Sequence, residues 1–329
     1  MKGTALLDWF TFSVKGVTDP DLVISDYLRM DPALFEDHCF GNYGYLRSKS
    51  FNRIEVYYDP SEDRVGDMGV CVSMSGSGCR TFEAHTALTS VGTPFIALVQ
   101  RLHVDPDVNV SRVDLAIDDK DGILDLDVIV DCVRNNQINS RIRKRDIHDG
   151  YDGADRAGMT VYIGSPKSDF RIRIYDKAKE QFERGEEGYN QHWIRLEIVM
   201  KGDNANGFLG CLANTDNLGV VASGILNDKI AFIERDDSNI SRCSFCSWWV
   251  EFLESLESIK LVSKEEVRHV LEDVIEWVTR QVAPSLSLIR DARGYLAIYD
   301  ILAEGLEKRS RKHEALLNDY RHAYHLSED

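Results

Sequence analysis

The chain predicts an α+β protein in which strands and helices interleave up to about residue 205, followed by an α-helical C-terminal region. Three observations lead there. Residues 171–177 read Arg-Ile-Arg-Ile-Tyr-Asp-Lys, a strict alternation that marks a strand with two unlike faces. Residues 112–118 and 195–201 alternate in the same way, apolar on one side and ionic on the other. Beyond Gly202 the alternation stops and helical spacing of apolar residues takes over.

The elements follow in order. Residues 6–14 are aromatic, β-branched and alternating, hence a strand. Asp19-Pro20 opens a turn, and residues 22–28 have the spacing of a short helix. Residues 53–58 and 69–76 are strands around a polar turn at 59–67. Gly76 and Gly78, just before Cys79-Arg80, allow a close backbone approach or a positive φ. An amphipathic helix is expected over 93–103, a strand over 110–119 and a helix over 125–133. Residues 158–165 form a strand that should make a hairpin with 171–177, and 193–201 form the next strand. Short helices are expected at 208–212 and 218–225. Longer helical periodicities run over 248–253, 264–282 and 286–308, with Pro284 as the break between the last two. Leu7-Asp8 and Val113-Asp114 both start strands with an acid, a faint echo of two pseudo-repeated halves. The boundaries follow: an N-terminal α/β half over 1–109, a catalytic half over 110–205 and the helical region over 206–329.

At 329 residues with 43% hydrophobic and 29% charged content, the composition is that of an ordinary globular protein. No apolar run approaches a bilayer span, and an acid at Asp8 comes too early for a signal peptide, so no membrane association is expected. Seven scattered cysteines suit a reducing cytoplasm, and the lone Cys243-x-x-Cys246 reads as a helix start rather than a zinc site. The formal net charge of −16 argues against a protein that coats DNA indiscriminately. Between Arg134 and Lys179, however, 11 Lys/Arg stand against 6 Asp/Glu, a local basic patch fit for contact at one site.

The chemistry sits on the alternating strands. Arg171, Arg173, Tyr175 and Lys177 share a face, which makes a phosphate cradle with a phenol in its middle. Tyr175 is the candidate nucleophile, and the cations Arg173 and Lys177 should favour its phenolate. Arg112, Asp114 and Asp118 share a face of the 110–119 strand, and Arg195 and Glu197 share one on 193–201. Asp114 and Glu197 suit Mg²⁺ or Mn²⁺, which take carboxylate oxygens and leave positions open for a phosphate. Asp114 and Asp118 stand roughly 13 Å apart along an extended strand, so one of them should have another task. Arg141, Arg143, Lys144 and Arg145 form a basic run suited either to phosphate contact or to a solvated loop.

Six motifs in order carry a family resemblance: Asp-Trp-Phe-Thr-Phe from Asp8, Ser-Gly-Ser-Gly-Cys-Arg from Ser75, Ser-Arg-Val-Asp-Leu-Ala-Ile-Asp from Ser111, Thr-Val-Tyr-Ile-Gly-Ser from Thr160, Arg-Ile-Tyr-Asp-Lys from Arg173 and Arg-Leu-Glu-Ile from Arg195. Over about residues 5–205 the chain resembles the Rep_trans replication initiation factors, which include initiators of rolling-circle plasmids and RstA-like proteins of filamentous phages. The resemblance implies antiparallel sheets flanked by helices, like the rolling-circle endonuclease fold, and a metal held by carboxylates rather than a His pair. No His-x-His occurs among the nine histidines. Carried over, Tyr175 is the nucleophile, Asp114 and Glu197 are metal ligands with Asp118 as the third, and Lys177 and Arg195 are phosphate-site cations. Arg112, Arg171, Arg173 and the 141–145 run would hold DNA.

The expected activity is site-specific, metal-dependent nicking of an origin strand, giving a 5′-phosphotyrosine and a free 3′-OH. The expected partners are double-stranded origin DNA with a single-stranded or cruciform nick site, a host helicase and polymerase, and a second copy in a homodimer. Two alternatives stand beside this: a non-catalytic DNA-binding regulator of the same fold, and a conjugative relaxase.

Overall fold

The computed structural model describes residues 4–60, 68–89, 94–152, 155–183, 192–215, 217–257, 275 and 278–309. The chain divides into two compact units, residues 1–79 with 98–261 and residues 80–97 with 262–329. Residues 61–67 of the expected turn at 59–67 and much of the 264–282 periodicity lie outside the described residues.

The first unit is built on one antiparallel ten-stranded sheet. Its centre is the pair β1 (Thr4–Val14) and β6 (Val108–Asp119). Outward from β1 come β5 (Val70–Ser75), β4 (Ile54–Tyr58), β3 (Arg47–Phe51) and β2 (Glu36–His38). Outward from β6 come β11 (Ile194–Lys201), β10 (Phe170–Asp176), β9 (Asp155–Ile163) and β8 (Arg145–Asp152). In each half the first strand is central, the last strand pairs with it, and the rest run outward in reverse order. The echo of two halves in the sequence has this topological counterpart. A separate short ladder joins β7 (Ile138–Asn139) to β12 (Ala231–Phe232).

Alternation assigns the faces. Val113, Leu115 and Ile117 of β6, Leu196, Ile198 and Met200 of β11, and Ile172 and Ile174 of β10 are all buried on one face. The helix Asp203–Thr215 packs against β6 and β11 with Ala205, Phe208, Leu209 and Leu212 buried, and the helix Leu126–Arg134 packs against β9 and β10. The opposite face keeps the ionic residues. The hairpin of β9 and β10 forms as the sequence indicates.

At the end of β5, Gly78 provides a close approach rather than a positive φ: a Cβ there would fall 2.2 Å from the carbonyl oxygen of Arg53. Since backbone cannot yield as a side chain can, Gly78→Ala is expected to cost roughly 1–3 kcal/mol, read as a lower denaturant midpoint at unchanged slope.

One expectation is corrected: the periodicity over 286–308 is two helices rather than one, because Gly294, with a φ of +83°, ends Ala283–Arg293 before Tyr295–Glu307 begins. Pro284 lies at the expected break, in the first turn of Ala283–Arg293 just after the short stretch Val278–Val282, where its missing N–H removes no helical bond. Cys243 and Cys246 precede the helix Ser247–Glu257, with the Cys243 thiol directed at the carbonyls of Asp237 and Asn239. Among the described residues no helix is long and apolar enough to cross a membrane.

Candidate active site on the polar sheet face

The register of β10, β11, β6 and β1 brings the ionic residues of four strands together. Tyr175 stands opposite Arg195 and Arg173 opposite Glu197. Arg195 in turn faces Asp118, and Glu197 faces Ala116, midway between Asp114 and Asp118. One sheet face therefore carries the phenol, the carboxylates and the arginines in adjacent rows.

Tyr175 is buried, and its hydroxyl donates to Glu197 Oε1 at 2.7 Å. The Arg173 guanidinium lies over the phenol ring, 4.1 Å from its centroid, with Nε 3.3 Å from Glu197 Oε2. Burial, first, and the negative charge of Glu197, second, push the Tyr175 hydroxyl well above the usual phenol range, although Arg173 and Arg195 oppose the shift. The expectation that neighbouring cations favour the phenolate is thus corrected: desolvation and Glu197 outweigh them, and the group is a protonated donor at neutral pH. Burial likewise raises Glu197 above the usual carboxylate range, with Arg173 opposing.

The other pairs are tightly made. Arg195 donates to both oxygens of Asp118, at 2.6 and 2.8 Å, in a buried bidentate bridge. Arg112 grips both oxygens of Asp114, at 2.9 and 2.6 Å, while its guanidinium lies 4.2 Å from the centroid of the Trp9 ring. Burial raises Asp114 above the usual carboxylate range against the pull of Arg112. Arg171 lies over Tyr162 at 3.9 Å.

The structure gives Asp118 the separate task that strand spacing demands of one of the two acids. Both its oxygens are taken by Arg195, as both of Asp114's are by Arg112, and its partner is the more deeply buried of the two arginines. The residue missed from sequence is Asp8. A β-bulge between Leu7 and Trp9 makes Asp8 the extra residue of β1. Consecutive residues then turn toward the same face, and Asp8 Oδ2 comes 3.5 Å from Arg195 Nη1. Its charge reaches both Asp114 and Glu197, raising the pKa of each. A Cβ on Gly76 would meet Asp8 Oδ1 at 3.0 Å, so the glycine leaves room for the carboxylate. The Leu7-Asp8 echo is the sequence signal for it.

Two other assignments shift. Lys177 is not on the strand: β10 ends at Asp176, and Lys177 opens the helix Lys177–Glu183, buried and paired with Glu180. Its Nζ is 5.8 Å from the Tyr175 ring centroid. Arg145 donates to Asn136 and to the carbonyl of Ile138, and burial lowers its pKa; it ties β8 to the turn before β7. Arg141, Arg143 and Lys144 are exposed on the segment before β8.

Among the described residues no three His, Cys, Asp or Glu side chains form a ready-made metal cluster. The donor chemistry nonetheless fits a hard divalent ion. Burial and the charge of Asp8 raise Asp114 and Glu197 above the usual carboxylate range, and a bound cation would relieve that clustering of negative charge.

Residues 108–304 match the family model of the replication initiation factor, Rep_trans, and residues 4–101 match that of the rolling circle replication initiation protein N-terminal domain. The chain is 26% identical over 336 residues to a Bacillus subtilis (strain 168) protein described as an inferred DNA relaxase, NicK, with 96% of this chain and 89% of the relative covered. The solved structure of a rolling circle replication initiator protein from Geobacillus stearothermophilus superposes with a TM-score of 0.69 at 26% identity, covering 79% of this chain and 98% of that one. The first of these matches spans more than half of the sequence, and the chain belongs to the replication initiation factor family of rolling-circle initiators and relaxases.

Proposed function

We propose that the protein is a rolling-circle replication initiator that nicks one strand of its origin by tyrosine transesterification. The observation that carries this reading is the Tyr175 hydroxyl donated to Glu197 within an arginine-lined sheet face. The phenol oxygen attacks the scissile phosphorus, and its proton passes to Glu197. The bond from phosphorus to the 3′ oxygen breaks, leaving a 5′-phosphotyrosine and, once that oxygen takes a proton, a free 3′-OH. The phosphodiester energy stays in the protein–DNA link, so the ends can be rejoined without a nucleotide cofactor.

Arg173 and Arg195 neutralise the phosphate beside the phenol, Arg112 and Arg171 extend the track, and Arg141, Arg143 and Lys144 contact the backbone farther out. Asp8, Asp114 and Glu197 would hold Mg²⁺ or Mn²⁺. When bound, the ion supplies Lewis-acid polarisation of the scissile phosphate and positive charge that eases deprotonation of Tyr175. The partner is double-stranded origin DNA opened at the nick site, and the free 3′-OH is a primer for host polymerase behind a helicase. The net charge of −16 confines binding to this face.

A conjugative relaxase runs the same chemistry, and the name of the Bacillus subtilis relative favours it as the second reading. Supercoiled plasmids carrying either the replication origin or the transfer origin of the protein's own element separate the two. With Mg²⁺ or Mn²⁺, nicked circles and a covalent protein–DNA band should appear on one of them. Specific binding without scission on both would leave a non-catalytic regulator.

The pH profile follows from Glu197. As proton acceptor it must be ionised, and burial holds its pKa above the usual carboxylate range. Nicking should therefore decline as pH falls through that raised pKa, earlier than for an exposed carboxylate. Glu197→Gln should remove this acid limb along with most of the rate, in single-turnover assays across pH.

A further inference from the structure

Beside the active site, the polar face carries an aromatic display that the nicking chemistry does not use. The strand pairs Tyr57 with Cys71 and Cys71 with Ser13, and Trp9 with Asp114, so Tyr57 and Trp9 stand on the face that bears Asp114 and Glu197. Over this end of the sheet folds the turn 42–45. Tyr43 packs edge-on to Tyr57 with centroids 5.4 Å apart, and Tyr45 stacks on Tyr57 at 6.3 Å. Tyr45 is buried and donates to the carbonyl of Met68, so it supports the group from below.

Tyr43 itself is 53% exposed. It also adopts a φ of +54°, a left-handed conformation costly for a bulky residue. The turn holds it there: Asn42 Oδ1 accepts from the Tyr43 N–H, and the Asn42 carbonyl accepts from the Tyr45 N–H. Glycine or asparagine would take this φ at less cost, and a half-exposed ring returns little burial energy to offset it. The Tyr43 hydroxyl comes within electrostatic reach of Arg112, whose guanidinium lies on Trp9 and grips Asp114. The display is thus continuous, through Arg112, with the carboxylates of the active site.

We propose that Tyr43, backed by Tyr57 and flanked by the Arg112–Trp9 pair, is a stacking platform for unpaired bases of the strand to be nicked, a few nucleotides from the scissile phosphate. This rests on the reading that the polar face binds that strand. Single-stranded DNA fits because it offers both things the surface lacks: flat π faces for Tyr43 and phosphates for the arginines. Such a platform holds the strand open after melting and is tolerant of base identity, since every base has a π face.

The test uses fluorescence anisotropy of the full chain with a labelled oligothymidylate and an abasic deoxyribose-phosphate chain of equal length, with divalent ions chelated so that no cleavage occurs. The wild type should bind the oligothymidylate about tenfold or more tightly than the abasic chain, the scale of one stacked base. Tyr43→Ala should bring the oligothymidylate down to abasic affinity without changing abasic affinity or its salt dependence, and Tyr43→Phe should restore the difference. Equal binding of both chains by the wild type, or a Tyr43→Ala variant with undiminished preference for bases, overturns the platform. The nicking reading is judged separately on supercoiled plasmid. A base preference lost in Tyr43→Ala from a protein that never nicks would keep the platform and reject the initiator. Nicking alongside an inert Tyr43 would do the reverse.

Discussion

Tyr175→Phe is expected to abolish nicking, by a factor on the order of 10⁴ or more, the scale of deleting a nucleophile, while the protein folds and binds origin DNA as before. The substitution removes one oxygen from a buried ring whose other surroundings persist. The Arg173 guanidinium keeps its place over an aromatic face, because phenylalanine offers the same π system. Glu197 loses one donor but retains Arg173, so the stability cost should be about 1 kcal/mol, that of one hydrogen bond. The measurement is a denaturing gel of protein incubated with its supercoiled origin plasmid and Mn²⁺, run beside a thermal melt and a gel shift. Loss of the covalent band with a cooperative melt lowered by no more than that cost and an unchanged shift establishes the nucleophile. A persistent covalent band in the variant would move the attack to another hydroxyl and reject the site.

Much of this site was legible because strand periodicity is a strong constraint. Once 171–177, 112–118 and 195–201 are read as strands, alternation alone puts Tyr175, Asp114 and Glu197 on ionic faces. The pairing of β6, β11 and β10 then joins those faces into one. What alternation cannot reveal is where it is broken. The bulge at Asp8 rotates one residue out of phase, so a period-two reading of β1 cannot tell that Asp8 and Trp9 serve the same face. Lys177 fails for a related reason. The period runs on in the sequence, but the chain turns helical after Asp176 and carries the lysine to Glu180. Arg145 shows a third limit, since a run of like charges looks uniform until the structure gives one member a backbone carbonyl and a side-chain amide to hold. Pairings across strands are likewise set by register, which depends on turns and bulges more than on the strand residues themselves.

The roles of Asp118 and Asp8 should separate in opposite directions. Asp118→Asn leaves the buried Arg195 guanidinium without its bidentate carboxylate, retaining only the longer approach of Asp8 at 3.5 Å. Breaking such a pair from one side typically costs about 3 kcal/mol or more, because the charge that remains has already lost its water. The thermal midpoint should fall accordingly, while Mn²⁺ affinity of the folded protein, by isothermal titration calorimetry, stays close to wild type. Asp8→Asn should do the contrary. Its side chain is 30% exposed and its loss relieves repulsion with Asp114 and Glu197, so stability should hold or rise slightly. Mn²⁺ affinity should drop by about tenfold or more, since a neutral amide replaces one of a few anionic donors. If the two effects exchange places, with Asp118→Asn weakening the ion and Asp8→Asn weakening the fold, then Arg195 releases Asp118 on metal binding, and the bridge is a state of the metal-free protein rather than an anchor of its fold.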